Sequence, residues 1–248
     1  MNSSSTNNTL EPRRDLPLHK IPELLAKITG TISTTISSSS SEHGSTVTTN
    51  DRREQLFDHY AERHRVLSLN GLLQLCYDLN IEPESYEVLL FCFLCRAKKM
   101  YLLTKDEFFL GLKNLGNHVD NLTDLRHKLF HFDALPYQNE FYLWTFNYGL
   151  IDDQRSLTTA NAISLWRLFY SKCFESPTIL NEWLIYLQNE VTNDIPKTIT
   201  CDTWKIFPQF AKFLQLNGFD AYDDNEAWPD LFDGFVEFHR NQKKNITY

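Results

Sequence analysis

The sequence predicts an all-α protein, and three observations carry that expectation. From about Asp51 onward, Leu and aromatic residues recur at spacings of three and four, the period of a helix with one buried face. Thr104-Lys105-Asp106-Glu107 has the form of a capping box, in which the Thr hydroxyl accepts an amide and Glu107 reaches back. No run of strand length alternates apolar and polar residues.

A first helix carries Leu56, Phe57 and Tyr60, and a second, capped by Ser68 or Asn70, carries Leu72, Leu75, Cys76 and Leu79. Pro83-Glu84-Ser85 opens a third. Its stretch Val88 to Cys95 is apolar on every side, so it should be buried all round. The capping box starts the fourth, and Gly116 suits the left-handed position after Leu115. Later helices are expected near 122–132, 137–149, 159–171, 179–190, 200–216 and 229–242. Pro229 fits the first turn of the last one, where a missing amide costs nothing. Pro208 lies inside the ninth and should kink or end it.

Val66-Leu67-Ser68-Leu69 and Met100-Tyr101-Leu102-Leu103 each stand between two helices. Helix–loop–helix twice over, with a short extended stretch in each loop, is the plan of an EF-hand pair, followed here by a second helical subdomain. A calcium loop needs several carboxylates and a central Gly. The first loop offers Ser68 and Asn70 and the second Lys98 and Lys99, so calcium is not expected.

The chain has 248 residues, 18 Phe, 11 Tyr and 5 Trp, and the first aromatic is Phe57. Residues 1–50 instead hold 19 Ser or Thr, a composition that buries too little apolar area to offset chain entropy. They read as a disordered arm, with one short amphipathic stretch at Ile21–Ile28, and 51–244 reads as the helical domain. No apolar run approaches the roughly 20 residues that cross a bilayer. The start carries no export signal, so the expectation is the cytoplasm, the nucleus or both; separately, a monomer is expected. The net charge of −8 disfavours nucleic acid and favours a basic protein partner. Five cysteines, mostly within apolar runs, read as reduced and packed.

Catalytic patterns are nearly absent. Gly111 and Gly116 have phosphate-loop spacing, but Asn117-His118 replaces the required Lys-Ser/Thr. Cys92 and Cys95 lack the second pair of a closed zinc site, and His127 and His131 read as surface residues. No cofactor or metal is expected. The informative stretch is Phe219 to Phe238, with seven acids and no Lys or Arg. Asp230, Asp233 and Glu237 share a helix face, and their mutual repulsion would be relieved by a positive partner.

Asp223-Asp224-Asn225-Glu226-Ala227-Trp228-Pro229 with Asp233-Gly234-Phe235-Val236-Glu237-Phe238 resembles the C-terminal signature of the defective-in-cullin-neddylation family, whose module is the potentiating-neddylation (PONY) domain. Thr200-Cys201-Asp202-Thr203-Trp204 is similar to the helix start before it, and Trp144-Thr145-Phe146-Asn147-Tyr148 to a central helix. The resemblance spans roughly 52–240. It implies a non-catalytic ligase scaffold that binds the C-terminal region of a cullin and the N-terminally acetylated neddylation conjugating enzyme, and promotes modifier transfer to a cullin lysine.

It also implies sites. The cullin patch would fall on Asp202, Ala227 and Asp233. An apolar pocket for the acetylated methionine would be lined by Leu69, Leu72, Val88, Phe91, Cys95, Leu103, Tyr148, Leu165 and Leu168, all of which serve equally well as core. Some relatives carry an N-terminal ubiquitin-associated domain, to which one short helix in residues 1–50 does not correspond. Pro208, the stretch Asn193–Pro196 and Gly234 depart from an ideal helical pattern. Two alternatives stand beside this reading: an EF-hand-like adaptor for another basic helix, and a cysteine-dependent enzyme using Cys92, Cys95 or Cys201.

Overall fold

A short helix buried on every side organises the chain. This helix, α3 (Tyr86–Leu94), is capped by Ser85, and all nine of its residues are buried. Its one charged residue, Glu87, is paired with Lys172, which compensates the desolvated carboxylate. The computed structural model describes residues 48–62, 65–116, 118–151, 154–172, 174–189, 198–223 and 227–246. The Ser/Thr-rich arm up to residue 47, Ile21–Ile28, Asn193–Pro196, Cys173 and Asp224–Glu226 lie outside these.

Before α3 come α1 (Thr49–Tyr60), β1 (Val66–Leu67) and α2 (Leu69–Leu79); after it come β2 (Leu103–Thr104) and α4 (Lys105–Leu115). Both strands sit in the expected loops. They pair antiparallel, Val66 opposite Thr104 and Leu67 opposite Leu103, and so tie the two helix–strand–helix units together. The capping box forms, with Glu107 N donating to Thr104 Oγ1 at 3.3 Å and Thr104 N to Glu107 Oε2 at 2.8 Å. A second box at Thr48 and Asp51 opens α1. Ser68, rather than Asn70, stands at the start of α2. Gly116 ends α4 at φ +139°, ψ 165°, an extended glycine conformation rather than the expected left-handed helical one.

The second half repeats the plan. It comprises α5 (Leu122–Phe130), α6 (Gln138–Tyr148), β3 (Ser156–Thr158), α7 (Thr159–Phe169), α8 (Leu180–Gln188), β4 (Thr198–Thr200), α9 (Cys201–Asn217) and α10 (Asp230–Ile246). β3 and β4 pair antiparallel, Ser156 opposite Thr200 and Thr158 opposite Thr198. Three residues per strand are too few to show alternation, so this pair left no trace in the pattern. The all-α architecture holds, with strands serving only as loop-to-loop ties among the described residues. Helix α3 packs on α4, α5, α6 and α7, and a single apolar cluster runs from Phe57 to Val236.

Pro208 does not break α9, which continues from Cys201 to Asn217 through it. In an α-helix the amide of residue 208 would bond the carbonyl of Trp204, and proline has no such hydrogen. The buried Tyr142 hydroxyl donates to Trp204 O instead, at 2.8 Å. It also accepts from Trp166 Nε1 at 2.9 Å, and Trp204 Nε1 donates back to Tyr142 O at 3.1 Å. The rings of Tyr142, Trp204 and Trp166 stack in sequence at 4.9 and 4.6 Å. This knot binds α6, α7 and α9 into one body and fixes the first turn of α9.

Candidate functional site

Acidic residues stand at the start of α9 and in the first turns of α10. Thr200 ends β4 and caps α9, its hydroxyl accepting Thr203 N at 3.1 Å. That places Asp202 in the first turn, exposed, where the helix dipole favours a carboxylate. Beneath it, Trp204 is fully buried in the stacked aromatic knot, so the turn carrying Asp202 is anchored from below.

Ala227 is exposed and reaches α9. Together with Trp228 it meets Ile206 and Gln209 in a groove of about 380 Å³. Ile206 lies one turn beyond Asp202 and Gln209 about two turns, on the same face. Trp228 is the wedge that holds this junction. Its ring lies 5.6 Å from Phe210 and 5.8 Å from Phe213 on α9, and 6.4 Å from Phe232 on α10.

Asp233 stands apart from the groove lining, on α10, half-buried. The Tyr222 hydroxyl donates to its Oδ1. Tyr222 O in turn accepts from Arg240 Nη2 at 3.4 Å, so the turn before α10 is fastened to α10 at two points. Asp230, Asp233 and Glu237 are therefore not equivalent: Asp230 and Glu237 are exposed, while Asp233 is oriented by a hydrogen bond. Pro229 immediately precedes α10, and its carbonyl accepts Phe232 N at 2.8 Å. Gly234 has its own reason: a Cβ there would stand 2.5 Å from the Tyr186 hydroxyl of α8. The glycine lets α10 approach α8 closely.

The second set of residues lies elsewhere, around α3. Leu72, Val88, Phe91, Cys95, Leu103, Tyr148 and Leu165 are buried in the common core, Leu168 is half-buried against it, and Leu69 is half-buried at the start of α2. Packing there is close. A Cβ on Gly111 would fall 2.3 Å from Cys95 Sγ, and one on Gly149 would fall 2.4 Å from Leu165. Tyr148 stacks on Trp144 at 4.6 Å, and its hydroxyl accepts from Tyr101 N and donates to Cys92 Sγ, each at 3.4 Å.

Cys76, Cys92, Cys95 and Cys201 are free thiols. Burial, the largest influence, pushes Cys92 up to about 11, with a Tyr148 hydrogen bond opposing it. Burial likewise pushes Cys76 up to about 12 and Cys95 well above the ordinary range. Since the thiolate is the nucleophile, such thiols are inert near neutral pH. His127 and His131 are exposed and stacked at 4.4 Å, with His131 Nδ1 2.7 Å from His127 O. Ile206 and Gln209 went unread in the sequence, and Trp228 was read only as part of the Ala227-Trp228-Pro229 signature. The only signal for the first two was their helical spacing from Asp202, one turn and about two turns on.

What the fold and this surface define is a helical module with acidic side chains on anchored helix starts and an apolar groove between α9 and the turn before α10. Residues 117–238 match the family model described as cullin binding. The chain is 31% identical over 197 residues to DCN1-like protein 3 of Drosophila melanogaster, covering 76% of this chain and 55% of the relative. For DCN1-like protein 3 of Xenopus tropicalis the identity is 32% over 214 residues, covering 82% and 67%. For that of Homo sapiens it is 33% over 202 residues, covering 78% and 64%. The chain belongs to the DCN1-like family of cullin-binding proteins. It spans between 55% and 67% of the length of these three relatives.

Proposed function

We propose that this protein is a scaffold for cullin neddylation, binding a cullin and the conjugating enzyme and bringing lysine and thioester together. The observation that carries this is the junction of α9 with the turn before α10. Asp202 shares a helix face with Ile206 and Gln209, which wall the Ala227 groove, and Asp233 is held in orientation on α10, all within the stretch that matches the cullin-binding family. The two carboxylates suit basic cullin side chains, and Ala227, having no bulk, lets the partner come close. Truncating one partner of a buried interface charge pair costs about 2–5 kcal/mol. Asp233→Lys or Asp202→Lys is therefore expected to abolish binding of a cullin C-terminal fragment while the helical circular dichroism persists. Unchanged affinity in a calorimetric titration would remove the assignment.

The conjugating enzyme is assigned to the apolar set Leu69, Leu72, Val88, Phe91, Cys95, Leu103, Tyr148, Leu165 and Leu168. Acetylation strips the terminal methionine of its charge, so it can enter apolar surroundings without the desolvation cost of an ammonium. Leu69 and Leu168 are the half-buried members of the set and the ones a partner could reach without displacing core residues. An acetylated peptide should bind well and its free-amine counterpart poorly; equal affinities would contradict the assignment. Rate enhancement then comes from proximity, since two modest affinities on one rigid body raise the local concentration of the reactants. The raised thiols of Cys92 and Cys95 support a role without a covalent intermediate on those residues.

A further inference from the structure

The groove of about 380 Å³ between α9 and the turn before α10 offers more than a setting for Ala227. We propose that it is the apolar half of the cullin interface, taking one aliphatic side chain of the cullin beside the basic residue that pairs with Asp202. The proposal rests on the cullin reading above.

Three features argue for it. The groove is continuous with the acidic site: Ala227 lines it directly, and Ile206 and Gln209 extend the stripe that Asp202 begins. Its floor is preformed. Ile206 and Trp228 are half-buried against the core, and Trp228 is held between Phe210 and Phe213, so little ordering cost remains for a partner to meet. Its rim is open, because Gln209 and Ala227 are exposed. A small-molecule site would enclose most of its ligand, whereas an open cleft suits a side chain carried by a larger surface.

Charge sets the register. Asp202 stands at the N-terminal end of the stripe, while exposed Lys205 and Lys212 lie along the neighbouring edge of α9. A basic residue of the partner is attracted to the first and repelled by the other two. The base consequently sits at the start of α9, and the adjoining aliphatic side chain falls over Ile206.

The test titrates a cullin C-terminal fragment into the full chain at low and high salt. Gln209→Trp fills the cleft from an exposed position and should weaken binding by at least ~10-fold, whereas Gln209→Leu should tighten it by roughly threefold. Both should keep the wild-type dependence on salt, because no charge is changed. Asp202→Asn should weaken binding and flatten that dependence. Thermal melts of each variant verify the fold. If Gln209→Trp and Ile206→Ala bind like wild type while Asp202→Asn weakens, the cleft is unoccupied and this proposal is overturned, with the acidic reading intact. If Asp202→Asn and Asp233→Lys bind like wild type while Gln209→Trp weakens, the acidic reading fails and the register it sets is overturned with it, although the cleft is occupied.

Discussion

Replacing Tyr142 by Phe removes one oxygen atom from the centre of the protein, and the consequence can be worked out. That hydroxyl donates to Trp204 O at 2.8 Å and accepts from Trp166 Nε1 at 2.9 Å. Both tryptophans are wholly buried, so no water replaces it. Each orphaned buried group costs about 1–3 kcal/mol, giving roughly 2–6 kcal/mol in all. For a chain of this size that corresponds to a fall in melting temperature of about 4–24 °C. The cause can be isolated with Pro208→Ala, which returns an amide hydrogen four residues beyond Trp204. In the wild-type background that amide finds a carbonyl already satisfied. In the Tyr142→Phe background it finds an empty one, and should recover roughly 1–3 kcal/mol beyond any gain seen in the wild type. Urea unfolding followed by tryptophan fluorescence would measure all four corners of the cycle. A coupling of zero would show that Tyr142 does not stand in for the proline's missing donor, and the account of how α9 survives Pro208 would fall.

Other outcomes are expected. Tyr222→Phe should leave the fold in place yet weaken cullin-fragment binding several-fold, because Asp233 loses the donor that orients it; wild-type affinity would mean that this orientation is irrelevant. The triple variant Cys92→Ser, Cys95→Ser, Cys201→Ser, if it folds, should still stimulate modifier transfer, and loss of stimulation by the folded protein would revive a covalent mechanism. Folding raises the Cys92 thiol to about 11 and Cys76 to about 12, from an ordinary value of 9.0. A raised acid group keeps more protons in the folded state than in the unfolded one. Its contribution is intact below pH 9 and is lost as pH climbs through 11 and 12, so the urea midpoint should fall across that window. Cys92→Ala should make the fall shallower, and an unchanged slope would refute the assignment.

Much of the fold was legible because its signals are local. The Thr104–Glu107 box, the wholly apolar α3 and the helical spacings through α10 are read within a few residues, and each stands where it was expected. What escaped depends on distant partners. Pro208 looked like a break because the group that rescues it, Tyr142, lies far upstream on α6. Gly234 looked like a weakness until Tyr186 of α8 showed what a methyl group would meet. The β3–β4 ladder joins segments on either side of two helices, each too short to announce itself.

The two candidate sites differ in legibility for a physical reason. Carboxylates cost energy to bury unpaired, so an acidic cluster without Lys or Arg tends outward: Asp230 and Glu237 are exposed, and the half-buried Asp233 accepts the Tyr222 hydroxyl. An apolar pocket has no such signature, because the side chains that line a cleft are those that fill a core. Phe91 illustrates this: it packs edge-on against Phe108 at 5.7 Å and is buried, as any core residue would be. The same ambiguity hid the Ile206–Trp228 groove, whose walls come from segments some twenty residues apart and meet only when α10 docks. In the proposed function, the acidic residues receive a partner's charge. The apolar groove, which in the proposed interface would discriminate among basic partners through shape, emerges only from the packing of α9 against the turn that Trp228 wedges in place.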